Sequence, residues 1–159
     1  MPRDWGPNVR FPPPILFIAG FLIGVYLLDT PSRPIRLFAG GAPQWAQIAG
    51  AVAVVLGVAL TFSGFVWLRR ALTPVVTISP ATSLVTGGPY TFSRNPMYVG
   101  MSIAYLGLAV ALNAGGALVV FPLVLVALFV LVIRKEELHL GEKFGESYGA
   151  YRQRVRRWL

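Results

Sequence analysis

The chain has 159 residues, 55% of them hydrophobic and only 13% charged, with a formal net charge of +8 and no cysteine. That length suits one domain, and the composition is too apolar for an ordinary soluble one, which would lack the polar residues to cover its own surface. The absence of cysteine excludes disulfides, thiolate catalysis and zinc–thiolate sites, and positive charge set between long apolar runs points to an anionic membrane surface rather than to nucleic acid.

The N-terminal stretch "MPRDWGPNVRFPPP" lacks the small-residue cleavage site that follows the apolar region of a signal peptide, so the first hydrophobic run is expected to stay in the protein. That run, Ile15 to Leu28, has fourteen residues without a charge. Prolines at 12 to 14 can begin a helix and Asp29 to Pro31 can end it, which places a first span at about 13–29, short against the ~20 helical residues that cross the hydrocarbon. Ala46 to Leu68 reads as a second span, about 45–68. Its Gly50, Gly57 and Gly64 recur every seven residues and mark one face for close helix packing.

Residues 73–96, "TPVVTISPATSLVTGGPYTFSRNP", form a polar connection with a turn at Gly87, Gly88 and Pro89. Pro96 suits the first turn of the next helix, where its missing amide proton costs nothing. Met97 to Leu112 and Ala117 to Ile133, joined by "NAGG", give a third and a fourth span at about 97–113 and 116–133. So short and uncharged a link implies a tight helical hairpin. Pro122 is tolerated inside a buried transmembrane helix.

The tail, 134–159, changes character. Phe144, Tyr148, Tyr151, Val155 and Trp158 are spaced four, three, four and three, the stripe of an amphipathic helix that rests among headgroups or packs on the protein. Glycines at 141, 145 and 149 lower its intrinsic helicity, so it is expected to need that surface to form.

Lysine and arginine supply an orientation. Twelve of the 14 lie at the N-terminal end, in the 69–96 connection or in the tail; two, Arg33 and Arg36, lie in the 30–44 connection. The positive-inside rule then puts both termini and the 69–96 segment in the cytoplasm. The expected fold is an all-α, multi-pass membrane protein of four transmembrane helices with a cytoplasmic amphipathic C-terminal helix, forming one domain over 1–159.

Two segments of this sequence, "GPYTFSRNPMYVG" and "EELHLGEKFGESYGAYRQRVRRW", follow one another across the hairpin. Together they resemble the integral-membrane methyltransferases of the isoprenylcysteine carboxyl methyltransferase type, a group that includes the phospholipid N-methyltransferases. The looser family pattern is Gly-Pro-Tyr, then Arg-His-Pro with a Tyr two places on, then Glu-Glu, a leucine, Phe-Gly and paired tyrosines. The match covers roughly the last 75 residues. Where the eukaryotic carboxyl methyltransferases have Arg-His-Pro, this chain has Arg94-Asn95-Pro96, and asparagine cannot titrate as a base near neutral pH. A proline near the end of the tail is also missing. The resemblance implies S-adenosyl-L-methionine as methyl donor, bound between the last two spans and the tail, and a lipid or lipid-modified acceptor that arrives from the bilayer.

Arg94 at the head of a span can merely snorkel to the headgroups. With the motif, it is expected to be a fixed positive charge that orients an acceptor carboxylate or phosphate, a task suited to its planar five-donor fork. Glu136 and Glu137 are the other catalytic candidates. Neighbours on a helix diverge by about 100 degrees and cannot act as a facing pair, so one is expected to turn inward, toward Arg94 or the cofactor, while the other faces water; spacing does not choose between them. The resemblance makes Tyr90, Asn95, Pro96, Tyr98, Gly100, Glu136, Tyr148 and Tyr151 candidates for contact with the cofactor. An aromatic ring can stabilise a sulfonium through its face, although Tyr98 also fits an interfacial belt, and Tyr148 and Tyr151 also fit the tail's apolar stripe. His139, the only histidine, is assigned a surface or packing role, because one histidine with scattered carboxylates does not make a metal site.

The functional expectation is S-adenosylmethionine-dependent methyl transfer to a lipidic acceptor, with the carboxylate of an isoprenylcysteine-like substrate placed first. An ionised carboxylate is already a nucleophile, and no neutral-pH base is evident in the sequence. The alternatives are a phospholipid amine as acceptor, or a non-enzymatic membrane scaffold that binds anionic lipid through its basic tail.

Overall fold

The computed structural model describes residues 12–29, 34–72 and 82–159. Arg3, Arg10, Arg33 and the 73–81 part of the polar connection lie outside the described residues. All regular secondary structure among the described residues is helical.

Helix α1 (Pro13–Ile23) starts on its proline, as the fixed φ of that residue favours, and runs on as a π turn over Gly24–Leu28. Helix α2 (Gln44–Arg70) begins after Pro43 and ends on Arg69 and Arg70, whose charge suits the negative end of the helix dipole. A 3-10 turn, Gly88–Thr91, leads toward α3 (Pro96–Ala111). Helix α4 (Gly115–Leu128) then passes through a π segment, Phe129–Ile133, directly into α5 (Arg134–Arg154).

Two helices, α2 and the continuous α4–α5, are long and apolar enough to cross a membrane, whereas Pro13–Leu28 and Pro96–Ala111 are shorter apolar helices. The 16 residues of α3 reach only ~24 Å at the helical rise, against a hydrocarbon core of ~30 Å.

The seven-residue glycine stripe of α2 faces α3. A Cβ on Gly50 would meet the Gly107 carbonyl, one on Gly57 the Gly100 carbonyl, and one on Gly64 the side chain of Met97. Only hydrogen-sized side chains let the two backbones come this close. Thr61 Oγ1 reinforces the contact by donating to the carbonyls of Gly57 at 2.9 Å and Met97 at 3.2 Å. Helix α1 packs on α4 by the same device, with Gly24 against Gly116 and Ala117.

The α3–α4 hairpin is present, but each arm makes its closest backbone approach to a different helix. Between the arms lies Tyr105, whose hydroxyl donates to the Ala117 carbonyl at 2.8 Å while its ring meets Phe17, Phe21 and Phe121. The core continues through Tyr98, Val124, Leu128, Val132 and Ile133, toward the end of the hairpin where α5 begins. At the opposite end Asn113 takes a left-handed φ of 55°. Its side-chain oxygen accepts from the amides of Leu37 and Phe38, which ties the connection before α2 to the hairpin turn.

The tail departs from the expected single amphipathic helix. Gly145 has φ 49° and ψ −121°, which kinks α5, and the helix stops at Arg154 with Val155 in an extended conformation. Tyr148 and Tyr151 are buried on the helix, but Val155 and Trp158 are off it. The 4-3-4-3 spacing persists in the sequence beyond the point where the backbone turns back to bond with the segment before α3.

Candidate active site

The segment between the 3-10 turn and α3 explains why a polar cluster sits at the mouth of an apolar helix. Gly88 has φ 58°, and a Cβ there would strike the Trp67 indole at the end of α2. A glycine is therefore needed both for the turn and for this close approach. After the turn, Ser93 and Asn95 are buried but not helical, so their polar groups need partners from elsewhere in the chain. Residues 156–157 supply them. The Arg94 amide donates to the Arg156 carbonyl at 2.9 Å. Asn95 Nδ2 and Ser93 Oγ donate to the Arg157 carbonyl at 3.0 and 3.4 Å, and Ser93 Oγ accepts the Asn95 amide at 3.1 Å.

This link holds three charged side chains together. Arg157 grips Glu137 with two parallel bonds, Nε to Oε1 at 2.9 Å and Nη2 to Oε2 at 2.8 Å, the bidentate geometry favoured between guanidinium and carboxylate. Arg94 Nη1 approaches the same Glu137 Oε1 at 3.3 Å, and the two side chains are only 9% and 13% exposed. Arg94 Nη1 also donates to the Tyr148 hydroxyl at 3.4 Å. One face of the Arg157 guanidinium lies 4.9 Å from the ring centre of Phe129, close enough for cation–π attraction.

Glu136 turns to the other side. Its Oε1 accepts the Tyr98 hydroxyl at 2.8 Å. The expectation that one of the two glutamates faces water is therefore corrected: both have inward partners. Their divergence around the helix is real, but the start of α5 is flanked by α3 on one side and by the returning tail on the other, so each carboxylate meets its own wall. Burial pushes the Glu136 carboxyl up to about 7; the Tyr98 hydrogen bond opposes that rise and the neighbouring Glu137 charge adds to it. Burial also raises the Tyr148 phenol and lifts that of Tyr151 to about 12, so both keep their protons at neutral pH. Tyr151 uses its proton to bond the Tyr90 carbonyl at 2.7 Å.

Of the residues singled out in the sequence, the structure brings Arg94, Asn95, Tyr98, Glu136, Glu137, Tyr148 and Tyr151 into one cluster. Tyr90 joins through its carbonyl, and Pro96 fills the buried start of α3. Asn95 Nδ2 donates to the Arg157 carbonyl. Gly100 faces away, against Thr61 and Gly57 of α2, because the glycine side of α3 is its helix-packing side. Arg157, Ser93 and Phe129 belong to the site without having been singled out. In the sequence, nothing but a known helix end near Val155 distinguishes Arg157 from its basic neighbours. His139 is half-buried, and among the described residues no group of three or more His, Cys, Asp or Glu side chains is placed to hold a metal.

The cluster has a chemical bias. Two guanidiniums converge on one carboxylate, and Arg94 Nε is buried with no acceptor among the described residues. A buried donor without a partner is costly unless something arrives to accept from it. The site is thus suited to a further anion, with a carboxyl of raised pKa and several phenols beside it.

Residues 45–147 match the family described as phospholipid methyltransferase. The chain belongs to the phospholipid methyltransferase family. It is 42% identical over 72 residues to the protein-S-isoprenylcysteine O-methyltransferase of Schizosaccharomyces pombe, covering 45% of this chain and 30% of that protein. Protein-S-isoprenylcysteine O-methyltransferase B of Arabidopsis thaliana is 31% identical over 113 residues, 70% of this chain and 57% of the relative. The nickel-cobalt-cadmium resistance protein NccN of Alcaligenes xylosoxydans xylosoxydans is 26% identical over 144 residues, 88% of this chain and 66% of the relative. The matches span 30% and 57% of the lengths of these two isoprenylcysteine methyltransferases. Membership in the phospholipid methyltransferase family implies a methyl donor, and with the apolar helices it makes this a membrane protein.

Proposed function

We propose that this chain transfers a methyl group from S-adenosylmethionine to the carboxylate of an isoprenylcysteine-like lipid. The observation that carries the reading is Arg94, buried and held by Glu137, with a donor left over for an incoming anion. The names of the relatives supply the acceptor class. The donor brings a methyl group on a sulfonium, whose neutral thioether leaves without help from an acid or a metal. The chain's own task is alignment and exclusion of water. Arg94 orients the acceptor carboxylate, which is already ionised and needs no base. Glu137 keeps the Arg94 guanidinium in place, the phenols of Tyr98 and Tyr148 offer aromatic faces to a cation, and the returning tail covers the cluster.

One observation favours a second reading, in which a phospholipid amine is the acceptor. An ammonium must lose its proton before it can attack, and Glu136, with its carboxyl pushed up to about 7, is a base matched to that transfer near neutral pH. Arg94 would then hold the phosphate of the same lipid.

The fold reading that accompanies this function takes α1 and α3 as spans beside α2 and α4, within one methyltransferase domain, with the site and both termini on the cytoplasmic side. Because the chain has no cysteine, single cysteines report the arrangement cleanly. Thr91→Cys is expected to react with an impermeant maleimide from the cytoplasmic face and Ala39→Cys from the other. Reaction of both from one face would overturn the four-span arrangement. Calorimetry in lipid nanodiscs tests the enzyme reading against a scaffold: S-adenosylmethionine and its demethylated product are both expected to bind saturably, and heats that never saturate for either would favour the scaffold.

A further inference from the structure

Arg157 is not among the residues singled out in the sequence, yet it makes the shortest ion pair of the cluster. Its guanidinium is committed twice: two N–H groups of one edge to Glu137 at 2.9 and 2.8 Å, and one face to the Phe129 ring at 4.9 Å. Glu137 is the only carboxylate that Arg94 reaches among the described residues. Arg94 is therefore held by the Tyr148 hydroxyl and by a carboxylate that Arg157 grips in turn.

We infer that Arg157 is a positioning residue for methyl transfer, acting through Glu137 to hold the Arg94 guanidinium in the orientation that receives the acceptor's anionic group. The inference rests on the methyltransferase reading above and adds to it a residue in the returning tail. The backbone contribution of that tail is separate: the bonds to residues 93–95 use the carbonyls of Arg156 and Arg157, which any residue at 157 provides. Removing the side chain is expected to leave that link in place, so the guanidinium can be tested without opening the tail. A lysine cannot replace it, because an ammonium makes no planar fork and does not stack flat on an aromatic ring.

The test uses the full chain in nanodiscs, with S-adenosylmethionine and, as probe acceptors, a farnesylated cysteine analogue and a phospholipid amine. Arg157→Ala is expected to lose at least about tenfold in kcat/KM for the acceptor that the wild type methylates, the loss associated with one misplaced charge-assisted contact, while S-adenosylmethionine affinity stays within about twofold. Arg157→Lys is expected to recover little of it. Millimolar methylguanidinium is expected to restore activity to the Ala variant and not to the Lys variant, whose side chain fills the space. An Ala variant as active as wild type, a fully active Lys variant, or a loss that methylguanidinium does not reverse would each overturn the positioning role. Cofactor affinity that falls as far as the acceptor efficiency would also overturn it, by assigning Arg157 to closure over the cofactor. A wild-type chain that methylates neither probe would instead refute the methyltransferase reading, and the inference with it.

Discussion

Arg94→Lys is expected to cut methyl transfer about a hundredfold while folded yield stays close to wild type, since removing one preorganised donor from a transition-state site costs about that much. The substitution keeps the charge but loses the fork. Arg94 Nη1 reaches both Glu137 and Tyr148 while Nε is kept in reserve on the same rigid plane; one ammonium could meet those two partners but supplies no second donor fixed in that plane. Arg94→Ala should lose at least as much activity. Stability should suffer less than the ~3–5 kcal/mol that follows when a buried ion is stranded, because Glu137 keeps its bidentate pair with Arg157 in both variants. Thermal melting and cofactor affinity measured beside the rate separate a lost donor from a lost fold. An Arg94→Lys protein with near-normal turnover on every acceptor tried would return Arg94 to the role of a membrane-surface anchor.

Glu137→Gln and Glu136→Gln are expected to fail in opposite ways. Glu137→Gln leaves Arg94 and Arg157 facing each other with no anion between them, and a loss on the order of 3–5 kcal/mol is expected. Glu136 has the reverse balance. Burial raises its carboxyl from the ordinary 4.5 to about 7, so between those values the folded chain binds more protons than the unfolded one. Stability from this group is then full below about 4.5, falls as pH rises, and levels off above about 7. Glu136→Gln removes that slope and should melt no lower than wild type at alkaline pH. Melting curves taken across that range check the sign, and a wild type whose stability rises steadily with pH through neutrality would contradict it. The same variant sorts the acceptors. An ionised carboxylate needs no base and should be methylated at a rate that Glu136→Gln changes little, whereas an amine acceptor should lose about a hundredfold or more with the general base gone.

Much of this arrangement was legible in the residues. Gly50, Gly57 and Gly64 announced a packing face, and they meet α3 as that periodicity implies. That Arg94 could meet one of Glu136 and Glu137 followed from two apolar helices joined by a short turn, which must return the chain to the side it left; that it is Glu137 did not. What was not legible depended on distant partners. The tail's helical spacing runs through Val155 and Trp158, but the helix ends where the carbonyls of residues 156 and 157 serve the buried donors of residues 93–95; periodicity records side chains, not the backbone's competing bonds. Arg157 was hidden among arginines of the same type. Gly100, which the resemblance made a candidate for cofactor contact, lies against α2. A base near neutral pH was also invisible, because the shift of Glu136 arises from burial, which no local pattern encodes.

The central claim is that this chain forms a methyl ester on a lipid-borne carboxylate, and the most direct measurement follows the methyl group itself. Full-length protein in nanodiscs would be given S-adenosylmethionine with a labelled methyl, a farnesylated cysteine analogue and, separately, a phospholipid amine. The expected result is label in the cysteine analogue that mild base releases as methanol, the behaviour of an ester, and its disappearance in Arg94→Ala. Base-stable label in the phospholipid alone would replace the carboxylate with the amine, and label in neither acceptor would contradict the claim.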